Sequence, residues 1–276
     1  MKNNLSCVLT VYERTNVEHL NECLLSISNQ TYLAEELVIV IDGPIGRKLN
    51  EFLIKYKDSE NKFTVILDYI KVNQGPANAR NRGVSLSNNE LVAIMDSDDI
   101  NRLERFEMQV KRFQQIENLS ICGGFISEFE LYENDLDSIR RVPLNNNEIL
   151  KVIKVKSPVN NVTVMLRKSS ILAVGGYPNK RTSEDYELWV KLYSAGYVFS
   201  NIDKVLVDVR FEYINLTNRN GYKVFKDDLS TQLLLTKTKI TSKFEFALNC
   251  FRYLTFRLVP RKVKILLMKN ILRKRV

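Results

Sequence analysis

A chain of 276 residues, 45% hydrophobic and 26% charged, is long enough for one large α/β domain or two small ones and is not the composition of a disordered or fibrous polypeptide. A single histidine, His19, leaves acid–base chemistry to Asp, Glu or Tyr, and Cys7, Cys23, Cys122 and Cys250 show no paired spacing, which suits reduced thiols rather than a disulfide framework. The net charge of +9 sits in residues 241–276, where ten Lys or Arg face only Glu245, while the rest of the chain balances 31 bases against 31 acids.

In chain order, residues 5–11 read as a buried strand, and Thr15-Asn16-Val17-Glu18 fits a capping box opening a helix to about Asn29. Glu36–Ile41 reads as a second strand ending at the turn signal Asp42-Gly43-Pro44. A helix over 46–57, a strand over 63–70, a break at Gly75-Pro76 and a helix over 77–87 follow, and Leu91–Met95 is a strand of five apolar residues. Strands alternating with helices of this length predict βαβ units and a parallel sheet. The second half is less regular. A helix over 102–117, with Leu103, Phe106, Val110 and Phe113 at core spacing, leads to a strand over 119–130. A polar loop over 131–147, a helix over 147–155, a strand over 161–167, a break at 175–178 and a helix over 183–195 come next. Strands near 197–201 and 204–210 and a helix near 223–240 complete the body, and the mixture predicts an extension of the same sheet. The apolar run after Lys2 is too short for a signal peptide or a membrane span, and no later window reaches eighteen uncharged apolar residues, so the protein is expected inside the cell.

The chemistry concentrates at strand ends. Asp96, Asp98 and Asp99 follow the 91–95 strand directly, and ligand sites of open α/β sheets lie beyond the carboxyl ends of strands. Carboxylates one residue apart can face the same way and suit Mg²⁺ or Mn²⁺ shared with a substrate phosphate. A helix start rich in Asp competes with this reading, above all for Asp99. Thr10, Tyr12, Glu13 and Asp42 end neighbouring strands. Tyr12 could stack on a base or pack in the core, and Asp42 could accept from a ribose hydroxyl or simply form its turn. Asn78 and Arg80 open a helix that suits an anionic phosphate or a solvated surface. Glu184 and Asp185 open another, either as first-turn acids or, for a carboxylate facing the sheet edge, as a general base.

The ordered set Thr-Val-Tyr-Glu (10–13), Asn-Gln-Thr-Tyr (29–32), Val-Ile-Asp-Gly (40–43), Asn-x-Gly-x-Ala-x-Ala-Arg-Asn-x-Gly (73–83), Met-Asp-Ser-Asp-Asp (95–99), Gly-Gly-Tyr (175–177) and Ser-Glu-Asp-Tyr-Glu-Leu-Trp (183–189) resembles glycosyltransferase family 2, over about residues 5–210. The likeness is to its amylovoran and O-antigen branch of bacterial polysaccharide enzymes. The resemblance implies a GT-A fold, a mostly parallel α/β sheet flanked by helices, over residues 1–240, with a nucleotide-binding half (1–100) and an acceptor-side half (101–240). It implies that Thr10, Tyr12, Glu13 and Asp42 cradle the nucleoside of a UDP-sugar, with Arg80 and Asn78 in the same donor site. Asp96 would contact the ribose region, Asp98 would bind Mn²⁺ or Mg²⁺, and Asp185 would be the base of a single inverting displacement. Glu184, Arg210, Glu212 and Arg219 are carried as candidates for donor or metal support; Arg210-Phe211-Glu212 and Asn218-Arg219-Asn220-Gly221 keep only part of that branch's patterns, and Glu212 stands where many relatives have His.

Residues 243–276 mix apolar and basic residues at helical spacing with a break at Pro260, which reads as a basic amphipathic tail on an anionic inner-membrane surface or as a helix packed on the body. The resemblance makes the acceptor a saccharide on a polyprenyl diphosphate. Two rivals are weighed. A sugar nucleotidyltransferase would carry a Gly-rich basic loop after the first strand, where this chain has Tyr12-Glu13-Arg14-Thr15. A nucleic-acid binder would have a basic body, and this body is neutral.

Overall fold

The computed structural model describes residues 4–59, 61–129, 138–180, 182–210 and 221–258. The first half alternates strictly: β1 (Leu5–Val11), α1 (Val17–Ser28), β2 (Glu36–Asp42), α2 (Arg47–Asp58), β3 (Thr64–Ile70), α3 (Pro76–Leu86) and β4 (Leu91–Asp96). The second half contains β5 (Ile100–Asn101), α4 (Arg105–Gln115), β6 (Leu119–Phe129), β7 (Ser138–Arg140), α5 (Asn146–Ile153), β8 (Met165–Arg167), α6 (Lys168–Ala173), α7 (Glu184–Ser194), β9 (Val198–Arg210), α8 (Tyr222–Lys237) and α9 (Lys243–Leu258). All strands share one sheet in the order β3-β2-β1-β4-β8-β6-β9-β5, with β7 beside β6. β1 through β4 pair in parallel, β8 runs antiparallel to both β4 and β6, and β6 and β9 are parallel again.

Every residue of β2 is buried, as expected of a strand flanked by others and covered on both faces. Alternation divides the side chains between two cores. Leu5, Cys7, Leu9, Leu37 and Ile39 face α1, α2 and α4, while Val8, Val38 and Val40 face α3 and α7. α3 lies so close to the sheet that a Cβ at Gly83 would collide with the side chain of Val8. On the other face, Arg105 is fully buried under β4, donating to the Ile94 carbonyl (3.1 Å) and Gln109 (3.2 Å) and to Asn101. Burial pushes its guanidinium down to about 10, against the opposing pull of Cys7, Cys23, Asp99 and Asp96.

Several expectations are revised. The cap of α1 is Asn16, whose side chain accepts from the amides of Glu18 and His19; Thr15 instead accepts from the Tyr12 amide at 3.0 Å. Leu103 is exposed, because α4 begins only at Arg105 and the two-residue β5 precedes it. The polar stretch 131–147 contains β7, residues 130–137 lying outside the described ones, and α5 already starts at Asn146. Residues 161–163 form a 3₁₀ turn before β8, and the two strands expected over 197–210 are one continuous strand paired along β6.

Candidate active site

The carboxyl ends of β1, β2 and β4 meet on one edge of the sheet. Thr10 is the register partner of Asp96, and Val11 pairs with Ile41, so Tyr12 and Asp42 leave the sheet side by side. Tyr12 is 45% exposed and Glu13 is exposed at this rim. Asp42 is buried, and its two oxygens accept from the amides of Gln74 (2.7 Å) and Gly75 (2.8 Å), so it holds the loop that feeds α3. Gly43 follows at φ +91°, a conformation that favours glycine, and a Cβ there would also strike Asn73.

Asp96, Asp98 and Asp99 stand in different surroundings. Asp98 is exposed and Asp96 half-buried. Asp99 is buried and accepts from the Arg210 amide at 3.1 Å rather than capping a helix; burial, with the charges of Asp98 and Asp96, pushes its carboxyl well up. Hard carboxylate oxygens of this kind suit Mg²⁺ or Mn²⁺, which proteins hold through one or two carboxylates together with substrate phosphates. Among the described residues no group of three or more His, Cys, Asp or Glu is arranged to hold an ion. The donor set fits a cation shared with a substrate diphosphate.

Arg80 ties this edge to α7. Its guanidinium donates to Asp96 at 3.0 Å and to Glu184 at 2.8 Å, and lies 5.8 Å from the Tyr177 ring centroid. Burial works against the Arg80 charge, but Asp96, Tyr177 and Glu184 outweigh it and raise its pKa. Glu184 itself is raised, by burial first and then by the Asp185 charge, against the opposing pull of Arg80. Asp185 is half-buried, and among the described residues no hydrogen bond or ion pair engages its carboxylate. Among the described residues, an engaged carboxylate and an unengaged one thus stand side by side at one helix start.

Other predicted residues point elsewhere. The Asn78 amide donates to Gln74 and to Asn179 at 3.1 Å each, away from Arg80. The Arg210 side chain pairs with Glu22 and stacks on Phe129, 4.7 Å from ring centroid to guanidinium carbon. Glu212 and Arg219 lie outside the described residues.

A further set of residues supports the start of α7. Ser183 adopts a left-handed conformation (φ +58°), uncommon for a residue with a side chain. Its hydroxyl donates to Asp228 of α8 at 2.8 Å, and Asp228, 2% exposed, also receives Arg257 of α9 at 2.7 Å. Thr182 donates to Asp227 at 2.7 Å, and Lys180 pairs with Glu187 and bonds Ser230. Ser183 opens the 183–189 motif, but nothing in the sequence tied it, Thr182 or Lys180 to α8, because their partners lie 45 to 50 positions away.

A mostly parallel sheet flanked by helices, superposable on the structures named below, is the GT-A-type α/β fold that the resemblance implied. A family model described as "Glycosyl transferase family 2" matches residues 6–174, and the chain belongs to that family. It is 30% identical to the amylovoran biosynthesis glycosyltransferase AmsE of Erwinia amylovora over 94% of this chain and 95% of that one. It is 32% identical to the UDP-Gal:alpha-D-GlcNAc-diphosphoundecaprenol beta-1,3-galactosyltransferase of Escherichia coli, over 98% of this chain and 96% of that one. Crystal structures of S. aureus TarS residues 1–349, with UDP and with UDP-GlcNAc, superpose with TM-scores of 0.62 and 0.64 at 18% identity. They cover 90% of this chain and 68% and 69% of theirs. The chain is a glycosyltransferase, which sets aside the nucleotidyltransferase and nucleic-acid readings. Among the described residues no helix is long and apolar enough to cross a membrane.

Proposed function

We propose that this glycosyltransferase moves a sugar from a UDP-sugar to a saccharide carried on a lipid diphosphate, in a single metal-assisted inverting displacement. The observation that carries this reading is the buried Arg80 bridge, which joins Asp96 at the acidic edge to Glu184 beside Asp185. One guanidinium thereby ties a carboxylate of the proposed donor side to one of the proposed acceptor side. Thr10, Tyr12, Glu13 and Asp42 line the nucleoside end. Asp98, with Asp96 beside it, would hold Mn²⁺ or Mg²⁺, which when bound offsets the charge of the leaving diphosphate. Asp185 takes the proton of the acceptor hydroxyl as that oxygen bonds to the anomeric carbon and the bond to the diphosphate breaks. The donor and acceptor in the name of the E. coli relative support the UDP-sugar and the lipid-linked acceptor.

Isothermal titration with UDP, with and without Mn²⁺, tests the donor half. Metal-dependent binding by the wild type that is lost in Asp98→Ala is expected, and a folded wild type that binds no UDP in Mn²⁺ would overturn the donor assignment. Asp185→Asn tests the base. Its kcat should fall by ~10²–10⁴ with UDP affinity unchanged, whereas near-wild-type turnover would remove Asp185 from that role.

A further inference from the structure

α9 is amphipathic in the reverse sense to a helix that covers a core. The side it turns to the body is mainly polar. Glu245 pairs with Lys154 at 3.1 Å, the Asn249 amide donates to the Lys154 carbonyl (2.7 Å) and to Gln232 (2.9 Å), the Tyr253 hydroxyl donates to the Val155 carbonyl (2.9 Å), and Arg257 pairs with Asp228. Half-buried Phe246 and Cys250 lie on the same side. The opposite side carries Phe244 (78% exposed), Leu248 (39%), Phe251 (65%) and Leu254 (38%). These residues recur at i, i+4, i+7 and i+10, so they form one stripe along the helix. A helix this firmly bonded through polar groups does not turn over to hide its stripe.

From this we infer that the outward face of α9 docks the enzyme on an anionic lipid bilayer. Charge decides the occupant. Lys243 and Arg252 are exposed beside the stripe, and Lys156, exposed, follows Val155, the residue that receives Tyr253. Beyond Leu258 the sequence adds seven further Lys or Arg and no acid. An apolar stripe set among cations matches acyl chains below anionic headgroups, and like charge opposes the close approach of a second copy. The inference goes beyond the transfer reaction and does not depend on the identity of the donor.

Co-sedimentation with vesicles of phosphatidylcholine alone, and of phosphatidylcholine mixed with phosphatidylglycerol, tests it on the full chain. The wild type should pellet with the anionic vesicles and retain part of that binding in high salt, because salt screens the cations but not the apolar contact. A Phe244→Glu, Phe251→Glu variant should keep the wild-type melting temperature, since both side chains are exposed, and should lose roughly tenfold in partitioning, with no salt-resistant fraction. A wild type that ignores anionic vesicles, or a variant that binds them as well as wild type in high salt, overturns the inference. So does a wild-type dimer that becomes monomeric in the variant, which would assign the stripe to a second copy. Vesicle binding reads lipid without sugar transfer, so its failure would leave the UDP assignment to its own titration.

Discussion

Glu184 and Asp185 are adjacent in sequence, yet Glu184 is locked against Arg80 while Asp185 is not held by any described residue. Glu184 lies above its ordinary value of 4.5 because burial and the Asp185 charge outweigh Arg80. A carboxyl raised in the folded state binds its proton more tightly there than in the unfolded chain. Its contribution therefore favours the fold at low pH and is lost as pH rises from about 4.5 through the raised folded value. Glu184→Gln removes that dependence. Urea midpoints measured at steps of pH should show wild type gaining on the variant as pH falls, and a pH-independent difference would mean that Glu184 titrates alike in both states. Glu184 and Asp185 were legible in the sequence as paired acids opening a helix, as Asp96 and Asp98 were beyond an apolar strand. Their division of labour was not, since it depends on Arg80, which reaches Glu184 across 104 positions of chain.

At the scale of elements, α3 depends on Gly83 for its distance from the sheet. Gly83→Ala gains about 1 kcal/mol of helix propensity but drives a methyl into buried Val8, and overpacking of this kind costs about 1–3 kcal/mol. Overpacking should win, so a lower urea midpoint is expected, and a stabilised variant would show that the helix can lift away freely. α7 depends on α8 and α9 through Ser183, Asp228 and Arg257. Arg257→Gln leaves the buried Asp228 carboxylate without its counter-charge. In a steady-state assay kcat should fall severalfold with KM for the donor unchanged, and Arg257→Lys should recover part of the loss. Equal loss in kcat/KM and in thermal stability for both variants would indicate a structural contribution alone. The alternation of β1 through β4 was readable because each segment is long and strongly patterned. β5, β7 and α6 span two, three and six residues and owe their existence to neighbours remote in sequence, so periodicity could not reveal them.

Across the whole molecule, the two-sided covering of the sheet sets thiol reactivity. Burial pushes Cys7 and Cys122 up to about 12 and Cys23 well above its ordinary range, while Cys250 on α9 is only half-buried. Titration with a chromogenic disulfide should find one thiol reacting quickly in the native protein and four after unfolding. Rapid reaction of two or more native thiols would mean that one face of the sheet opens easily. The chain from Ser183 to Asp228 to Arg257 also has a bearing on synthesis. The first link spans 45 residues and the second 29, and Arg257 lies in the last helix described. As the polypeptide leaves the ribosome, the strands bearing Tyr12, Asp42 and Asp98 can assemble early, while the turn before Asp185 waits for its final support until α9 has emerged. If the proposed site assignments hold, a nascent or prematurely terminated chain would hold a nucleotide before it could transfer a sugar, and turnover would report that translation has run past Arg257.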